Sequence, residues 1–256
     1  MIWTGMRFNF QRVAYATLPV CNALEMEDVD AALTRAALPA GVRALDLGCA
    51  HAGVAIRLAA RFGLMVDAVD ADGAMIDLAS ERIVQAGVEG RVTPHHAWSN
   101  SFLADRPPYD LIVAIGTIEP VGAGVRQPAE MLRGLSRHLV AGGWLLWGDL
   151  VWKAEPPEPL RMVIEANNIY ADHAGWQAAA RAAGFEIVSA GLSSDETWSR
   201  YMAQMDAAVR DWAAANPDRP ETPAIAARGD QVGPGLALER PGGGVLSHQA
   251  GGQACE

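Results

Sequence analysis

The sequence predicts an α/β chain built on a doubly wound, mostly parallel sheet in three layers. Three observations carry that prediction. Short apolar runs alternate with segments of helical periodicity over residues 23–215. One run ends in Asp46 and passes through a small-residue turn, Gly48 to Gly53, directly into a helical segment. A second run ends in another acid, Asp70, roughly twenty residues further on.

The elements follow in order. Residues 1–22 lack clear periodicity, but Trp3, Phe8, Phe10 and Tyr15 make them more hydrophobic than a free tail, so they are expected to form an N-terminal cap segment. Residues 23–38 read as a helix, with Leu24, Val29, Leu33 and Leu38 near one face and a stop at Pro39-Ala40-Gly41. A strand over 42–47 leads to a helix over 52–62, closed by Gly63. The second strand is 64–69, and Asp72 is placed to cap a helix over 73–86. A short strand falls near 91–95. Residues 109–115 are a near-continuous apolar run, as a strand buried on both faces requires. A helix over 128–139 and a glycine turn lead into a strand over 144–150. Residues 153–172 begin proline-rich and then hold a short helical pattern. A helix over 174–183, an alternating strand over 185–192 and a long amphipathic helix over 195–215 complete the domain. From Pro217 periodicity vanishes, and residues 216–256 are expected to be a flexible Gly/Pro-rich tail.

Composition narrows the function. Half of the 256 residues are hydrophobic, enough for a full core, and the formal net charge is −10. That charge, with no basic stripe, argues against a nucleic-acid partner. Cys21, Cys49 and Cys255 are odd in number and far apart, so a reducing cytoplasm is expected rather than a disulfide framework. No leader is expected, no apolar run is long enough to span a bilayer, and no cysteine–histidine spacing suggests a metal. Nothing in the sequence speaks against a homodimer.

The turn after the first strand brings bare backbone and unpaired N–H groups to a ligand, and Asp70 is placed to accept from ribose hydroxyls. This describes a nucleotide-like cofactor. A dinucleotide would want G-x-G-x-x-G, whereas the row here is Gly48, Ala50, Gly53, preceded by Asp46. A carboxylate facing the turn suits a cation and repels pyrophosphate.

The stretch from Asp46 to Gly53 resembles motif I of the class I S-adenosylmethionine-dependent methyltransferases, D-x-G-C-G-x-G-G. Asp46, Gly48, Cys49 and Gly53 match, while Ala50 and Ala52 stand where glycine is usual. Alanine fits there if its backbone stays at negative φ. The segment P-Y-D-L-I-V-A-I-G-T-I-E-P-V-G from Pro108 resembles the fourth-strand segment of small-molecule members. L-S-R-H-L-V-A-G-G-W-L-L-W-G-D from Leu135 resembles their fifth-strand segment, and Trp198 to Tyr201 a bacterial subgroup's W-x-R-Y. The resemblance covers roughly residues 8–215 and implies a Rossmann-like fold. It also implies an antiparallel seventh strand, for which residues 235–239 are the remaining candidate.

The resemblance implies S-adenosyl-L-methionine as cofactor. Gly48, Ala50 and Gly53 would pass close to its methionine part, with Asp46 organising the turn and His51 bordering the carboxylate. Asp70 would take the ribose hydroxyls, Ala71 and Met75 would flank the adenine, and Ile115 and Gly116 would line the sulfonium. The family's acid after the third strand is missing. Ala97 and Trp98 occupy that place, and Trp98 either walls the adenine or serves as a core or lid residue.

Glu119 falls just beyond the fourth strand as a base, a substrate anchor or a loop carboxylate, and His173 is a second catalytic candidate. Trp152, Tyr170 and His173, with Glu119, are candidates for the substrate wall. His95 and His96, adjacent in a strand, point to opposite faces and make a poor metal pair. The expected function is methyl transfer to an O, N or S atom of a small molecule. The alternative, motivated by Ala50, Ala52 and Trp98, is a catalytically degraded cofactor-binding protein with a regulatory or assembly role. A nicotinamide oxidoreductase is disfavoured by the acid before Gly48.

Overall fold

A computed structural model of the chain describes residues 8–166, 168–235 and 242–250. In chain order its elements are α1 (Phe10–Ala14), α2 (Met26–Ala36), β1 (Arg43–Leu47), α3 (Gly53–Phe62), β2 (Met65–Asp70) and α4 (Gly73–Gln85). Then come β3 (Val92–His96), α5 (Ser99–Leu103), β4 (Tyr109–Ile115), α6 (Pro128–Ser136), β5 (Leu139–Val151) and α7 (Glu158–Ile164). The last are α8 (His173–Ala182), β6 (Phe185–Leu192), α9 (Asp195–Ala215), α10 (Thr222–Gly235) and β7 (Gly242–Ala250).

The strands form one sheet of order β3-β2-β1-β4-β5-β7-β6. β1 to β5 pair in parallel, and β7 runs antiparallel between β5 and β6. The strand order reverses between β1 and β4, so the carboxyl ends of these two strands open a crevice where a ligand can sit. Alternation sorts the side chains of each inner strand to opposite faces. Leu111 and Val113 of β4 join one core with Leu58 of α3 and Val29 of α2. Ile112 and Ala114 join the other, with Met131 and Leu132 of α6 and Trp176 of α8. Two cores flanking one sheet make the three layers.

Local signals explain the helix ends that frame the crevice. The Asp72 side chain caps α4 by accepting from Ala74 N at 2.8 Å. Gly63 closes α3 at φ 71°, a conformation glycine adopts freely. Asp172 and Ser194 cap α8 and α9 in the same way.

A third cluster ties the chain's two ends together. Phe10, Val13 and Ala14 of α1, with Leu18, pack on Met205 and Val209 of α9 and Ile225 of α10. Arg12, 5% exposed, donates to the Ala74 carbonyl at 2.9 Å and pairs with Glu81 of α4. Asn9 donates to the Asp72 carboxylate at 2.7 Å. The N-terminal segment is therefore fixed against the start of α4, beside the crevice.

The segment after residue 216 is corrected by the structure. It holds α10, packed on α1 and α9, and β7, inserted within the sheet. Of the strand candidate at 235–239, Gly235 ends α10 and the rest lies outside the described residues; the strand comes later, at 242–250. Side-chain periodicity did not announce it because a strand with a partner on each side is held chiefly by backbone hydrogen bonds. Among the described residues no helix is long and apolar enough to cross a membrane.

Ile225→Ala tests the placement of α10. Ile225 is 3% exposed in the third cluster, so its truncation should cost about 2–4 kcal/mol in urea unfolding. Unchanged stability would put this segment outside the folded core.

Candidate functional site

A cavity of about 850 Å³ opens at the carboxyl ends of β1, β2 and β4. Its floor is the turn from Gly48 to His51. Gly48 N and Cys49 N both donate to the Val69 carbonyl, at 2.8 and 3.0 Å, which straps the turn to β2. Gly48 sits at φ 68°, and a Cβ there would meet Thr117 Oγ1 at 2.8 Å. That hydroxyl donates in turn to the Leu47 carbonyl at 2.6 Å.

The alanines in this turn do not behave as expected. Ala50 has φ 48° and Ala52 φ 61°, so both adopt the left-handed conformation rather than negative φ. Each carries a steric cost that glycine would avoid, about 1–2 kcal/mol. The turn holds its shape because Ala50 N donates to Asp70 Oδ2 at 2.8 Å and Ala52 starts α3.

The amides at the start of α3 are already engaged. Gly53 N donates to His51 Nδ1 at 3.1 Å, and Ala55 N donates to Asp46 Oδ2 at 3.1 Å. A pyrophosphate would have to compete with both and with the Asp46 charge. Burial pushes the Asp46 carboxyl up to about 7, with the Asp70 charge adding and the Ala55 amide opposing. Asp70 is also raised by burial, although Asp72 N and Ala50 N each donate to it at 2.8 Å. Burial lowers His51 to about 4, so its ring is neutral at pH 7.

A second cradle closes the other side. Gly116 is left-handed at φ 65°, where a Cβ would meet Asn22 Nδ2 at 2.8 Å. Beyond it, Glu119 is left-handed at φ 45°. Asn168, fully buried, holds this bend: its Nδ2 donates to the Thr117 carbonyl and its Oδ1 accepts from Glu119 N, both at 3.1 Å. The Glu119 side chain lines the cavity and accepts from Gly124 N at 3.0 Å. Behind Asn168 lies Asp149, pushed up to about 7 by burial, which the Leu150 amide and the Asn168 side chain oppose.

Of the cofactor candidates, the cavity brings together Asp46, Gly48, Ala50, His51, Asp70, Ala71, Met75, Trp98, Ile115 and Gly116. Trp98 is 72% exposed at the mouth, which places it at a lip and not in the core. Gly53 lies under the turn, where a Cβ would be 2.4 Å from the Pro19 carbonyl oxygen. Ala97 packs into the second core. Of the substrate candidates only Glu119 lines the cavity.

Trp152, Tyr170 and His173 lie elsewhere, which corrects their assignment to the substrate wall. Trp152 Nε1 donates to Glu165, Tyr170 packs on the second core, and His173 in α8 contacts Gln177. The chain after β5 folds back on itself, Trp152 N bonding the Ala171 carbonyl, and reaches the crevice only through Asn168, which supports the bend at Glu119 from behind. The wall it would have made comes instead from the N-terminal segment, through Gln11, Tyr15, Pro19, Val20 and Cys21. Only the aromatic content of that segment signalled this role. Nothing in the sequence signalled Asn168. His95 pairs with Asp67 at 2.7 Å and His96 contacts the Ala71 carbonyl, away from each other. Among the described residues no group of three His, Cys, Asp or Glu could hold a metal.

Comparison with known proteins agrees with this geometry. Residues 45–145 match the family model of a methyltransferase domain. The chain is 26% identical over 181 residues to the uncharacterised protein YjhP of Escherichia coli K12, covering 70% of this chain and 71% of that one. A Thiobacillus denitrificans S-adenosylmethionine-dependent methyltransferase, solved with S-adenosylhomocysteine, superposes with a TM-score of 0.79 at 23% identity, covering 96% of this chain and all of that one. The [4+2]-cyclase SpnF superposes with a TM-score of 0.69 at 22% identity, covering 89% and 81%. These likenesses show the fold; one fold can host several reactions.

Two outcomes check the site's construction. Gly53→Ala should destabilise the chain by about 1–3 kcal/mol, because its Cβ collides with backbone that cannot give way; a wild-type unfolding curve would contradict the contact with Pro19. Asp149→Asn tests the buried acid. An unfolded Asp ionises near 4, whereas the folded one keeps its proton to about 7. Its contribution to stability is therefore lost as pH rises through that window. The variant should match wild type at pH 4 and exceed it at pH 8, by roughly 1–4 kcal/mol. Equal stability at both pH values would show that Asp149 is not desolvated.

Proposed function

We propose that this chain, a class I S-adenosylmethionine-dependent methyltransferase, moves the cofactor's methyl group to an O, N or S atom of a small molecule. The observation that carries this reading is the cavity's charge. It is walled by Asp46, Asp70, Asp72 and Glu119, and among the described residues by no Lys or Arg. Such walls suit a ligand bearing a sulfonium and an ammonium, and they repel a pyrophosphate.

The residues divide the work. The free lone pairs of Asp70 accept from the ribose hydroxyls, because its backbone donors occupy only one position on each oxygen. Ala71 and Met75 flank the adenine, and Trp98 covers it from the mouth. Asp46, with the turn it organises, faces the ammonium end. Gly116 has no side chain to block the approach to the methyl group. When bound, the cofactor supplies an electrophilic methyl carbon, and transfer is an in-line displacement. The protein contributes alignment and exclusion of water, for which the closed N-terminal wall is suited. Glu119 holds the acceptor or takes its proton.

Incubation with S-adenosylmethionine and a pool of small phenols, amines and thiols, read by mass spectrometry, tests the reading. A gain of one methyl on a pool member is expected. Cofactor binding without any turnover would favour a binding protein with degraded catalysis, the reading that the strained Ala50 and Ala52 support.

Two variants separate the roles. Asp70→Ala should weaken S-adenosylmethionine binding by about 1.5–3 kcal/mol in calorimetry, and unchanged affinity would remove Asp70 from the site. Glu119→Gln should cut turnover by roughly a hundredfold if Glu119 is a general base. It should instead raise KM with kcat nearly kept if Glu119 only binds the acceptor. Wild-type values of both would make it a structural loop residue.

A further inference from the structure

We propose that the acceptor is an amine on an apolar body, held as its ammonium by Glu119. This rests on the methyltransferase reading above and narrows it to one acceptor class. Among the described residues that line it, the cavity offers no Lys or Arg to an anionic acceptor. Arg82, which lies near His51 and Cys21, is turned to the Ala16 carbonyl, and Arg126 donates to the Glu165 carbonyl. A carboxylate or phosphate acceptor would enter a chamber whose charged side chains, among the described residues, are acids of its own sign.

Glu119 differs from Asp70 and Asp72 in having a single partner, and from Asp46, which is 4% exposed beneath the turn, in being only half-buried. Asp46 is engaged by the Ala55 amide, Asp70 by two amides, and Asp72 by the α4 cap and Asn9. Glu119 Oε1 accepts from Gly124 N, and the side chain has no other partner among the described residues. Its backbone is held in a conformation that costs free energy, and a fully buried asparagine is spent on holding it there. That construction fixes a half-open carboxylate at the end of β4. Beside it Ile118, 54% exposed, lines the same cavity, with Val20 and Ala123 also on the wall. A fixed negative charge next to an apolar wall matches an ammonium carried on hydrocarbon or an aromatic ring.

The reaction balances. The bound ammonium loses one proton by way of Glu119 to water. The freed nitrogen lone pair forms the N–C bond as the methyl C–S bond breaks, its electron pair leaving on sulfur. The positive charge passes from the sulfonium to nitrogen, and a neutral thioether remains.

Calorimetry on the whole chain tests this without turnover. The protein is titrated with S-adenosylhomocysteine, then, saturated with it, with phenethylamine, phenethyl alcohol and 3-phenylpropionate in turn. The amine is expected to bind at least tenfold tighter than the acid and the alcohol. Glu119→Gln should erase that preference while leaving S-adenosylhomocysteine affinity within about twofold. Failure of S-adenosylhomocysteine to bind would overturn the methyltransferase reading itself. If it binds, the amine inference alone falls in any of three ways: the acid or the alcohol equals the amine, the amine does not bind, or Glu119→Gln keeps the preference. The wild-type comparison stands even if the variant fails to fold.

Discussion

Two carboxylates at the crevice, the buried Asp46 and the half-buried Asp70, set the terms for the rest of this structure. Desolvation disfavours their charged forms, so both are raised; the Asp70 charge adds to the effect on Asp46, and the Asp72 charge to that on Asp70. Among the described residues lining the cavity, the chain answers with backbone amides and with no arginine or lysine. Ala50 N comes from the turn, Ala55 N from α3 behind it and Asp72 N from the start of α4, so the acids tie the turn to both helices. A cationic ligand relieves the remaining conflict, because it favours the ionised form of both. The electrostatic stress in the ligand-free chain is thus also its binding preference.

The turn costs conformational energy as well. Ala50 and Ala52 sit where glycine would be relaxed, and Glu119 across the cavity is left-handed too. Such residues persist only where their surroundings over-determine them. Around Ala50 the determinants are the Asp70 bond and the strap to Val69. Around Glu119 they are the two bonds of Asn168. Under the turn, the Pro19 carbonyl lies so close to Gly53 that the N-terminal segment can pack there only because that residue is glycine. The third cluster then anchors this segment to α9 and α10, which makes the far end of the chain part of the site's support.

Much of this was legible in the sequence, for physical reasons that differ by element. β4 and β6 fall where their apolar run and alternation put them, and α9 matches its amphipathic stretch. Asp46, Gly48 and Asp70 were legible because a strand-turn-helix places its ends in a fixed relation. The α10 and β7 segments were not. Alanine and glycine leave little hydrophobic contrast along α10, and β7 is specified by the strands on either side of it. The post-β5 aromatics misled because aromatic content alone does not say which way a segment faces: Trp152 and Tyr170 turn towards Glu165 and the core. Asn168 was invisible because its role depends on a contact across 49 residues with Glu119.

The central claim is that uncompensated acids shape this cavity for a cationic cofactor. Calorimetric titration of the whole chain with S-adenosylmethionine at pH 7, in two buffers of different ionisation enthalpy, tests it most directly. Burial pushes Asp46 up to about 7 in the ligand-free chain, so a bound cation, which favours the ionised form, should drive its proton off. The expected result is binding accompanied by net proton release. Absence of binding, or binding with no proton released, would contradict the account.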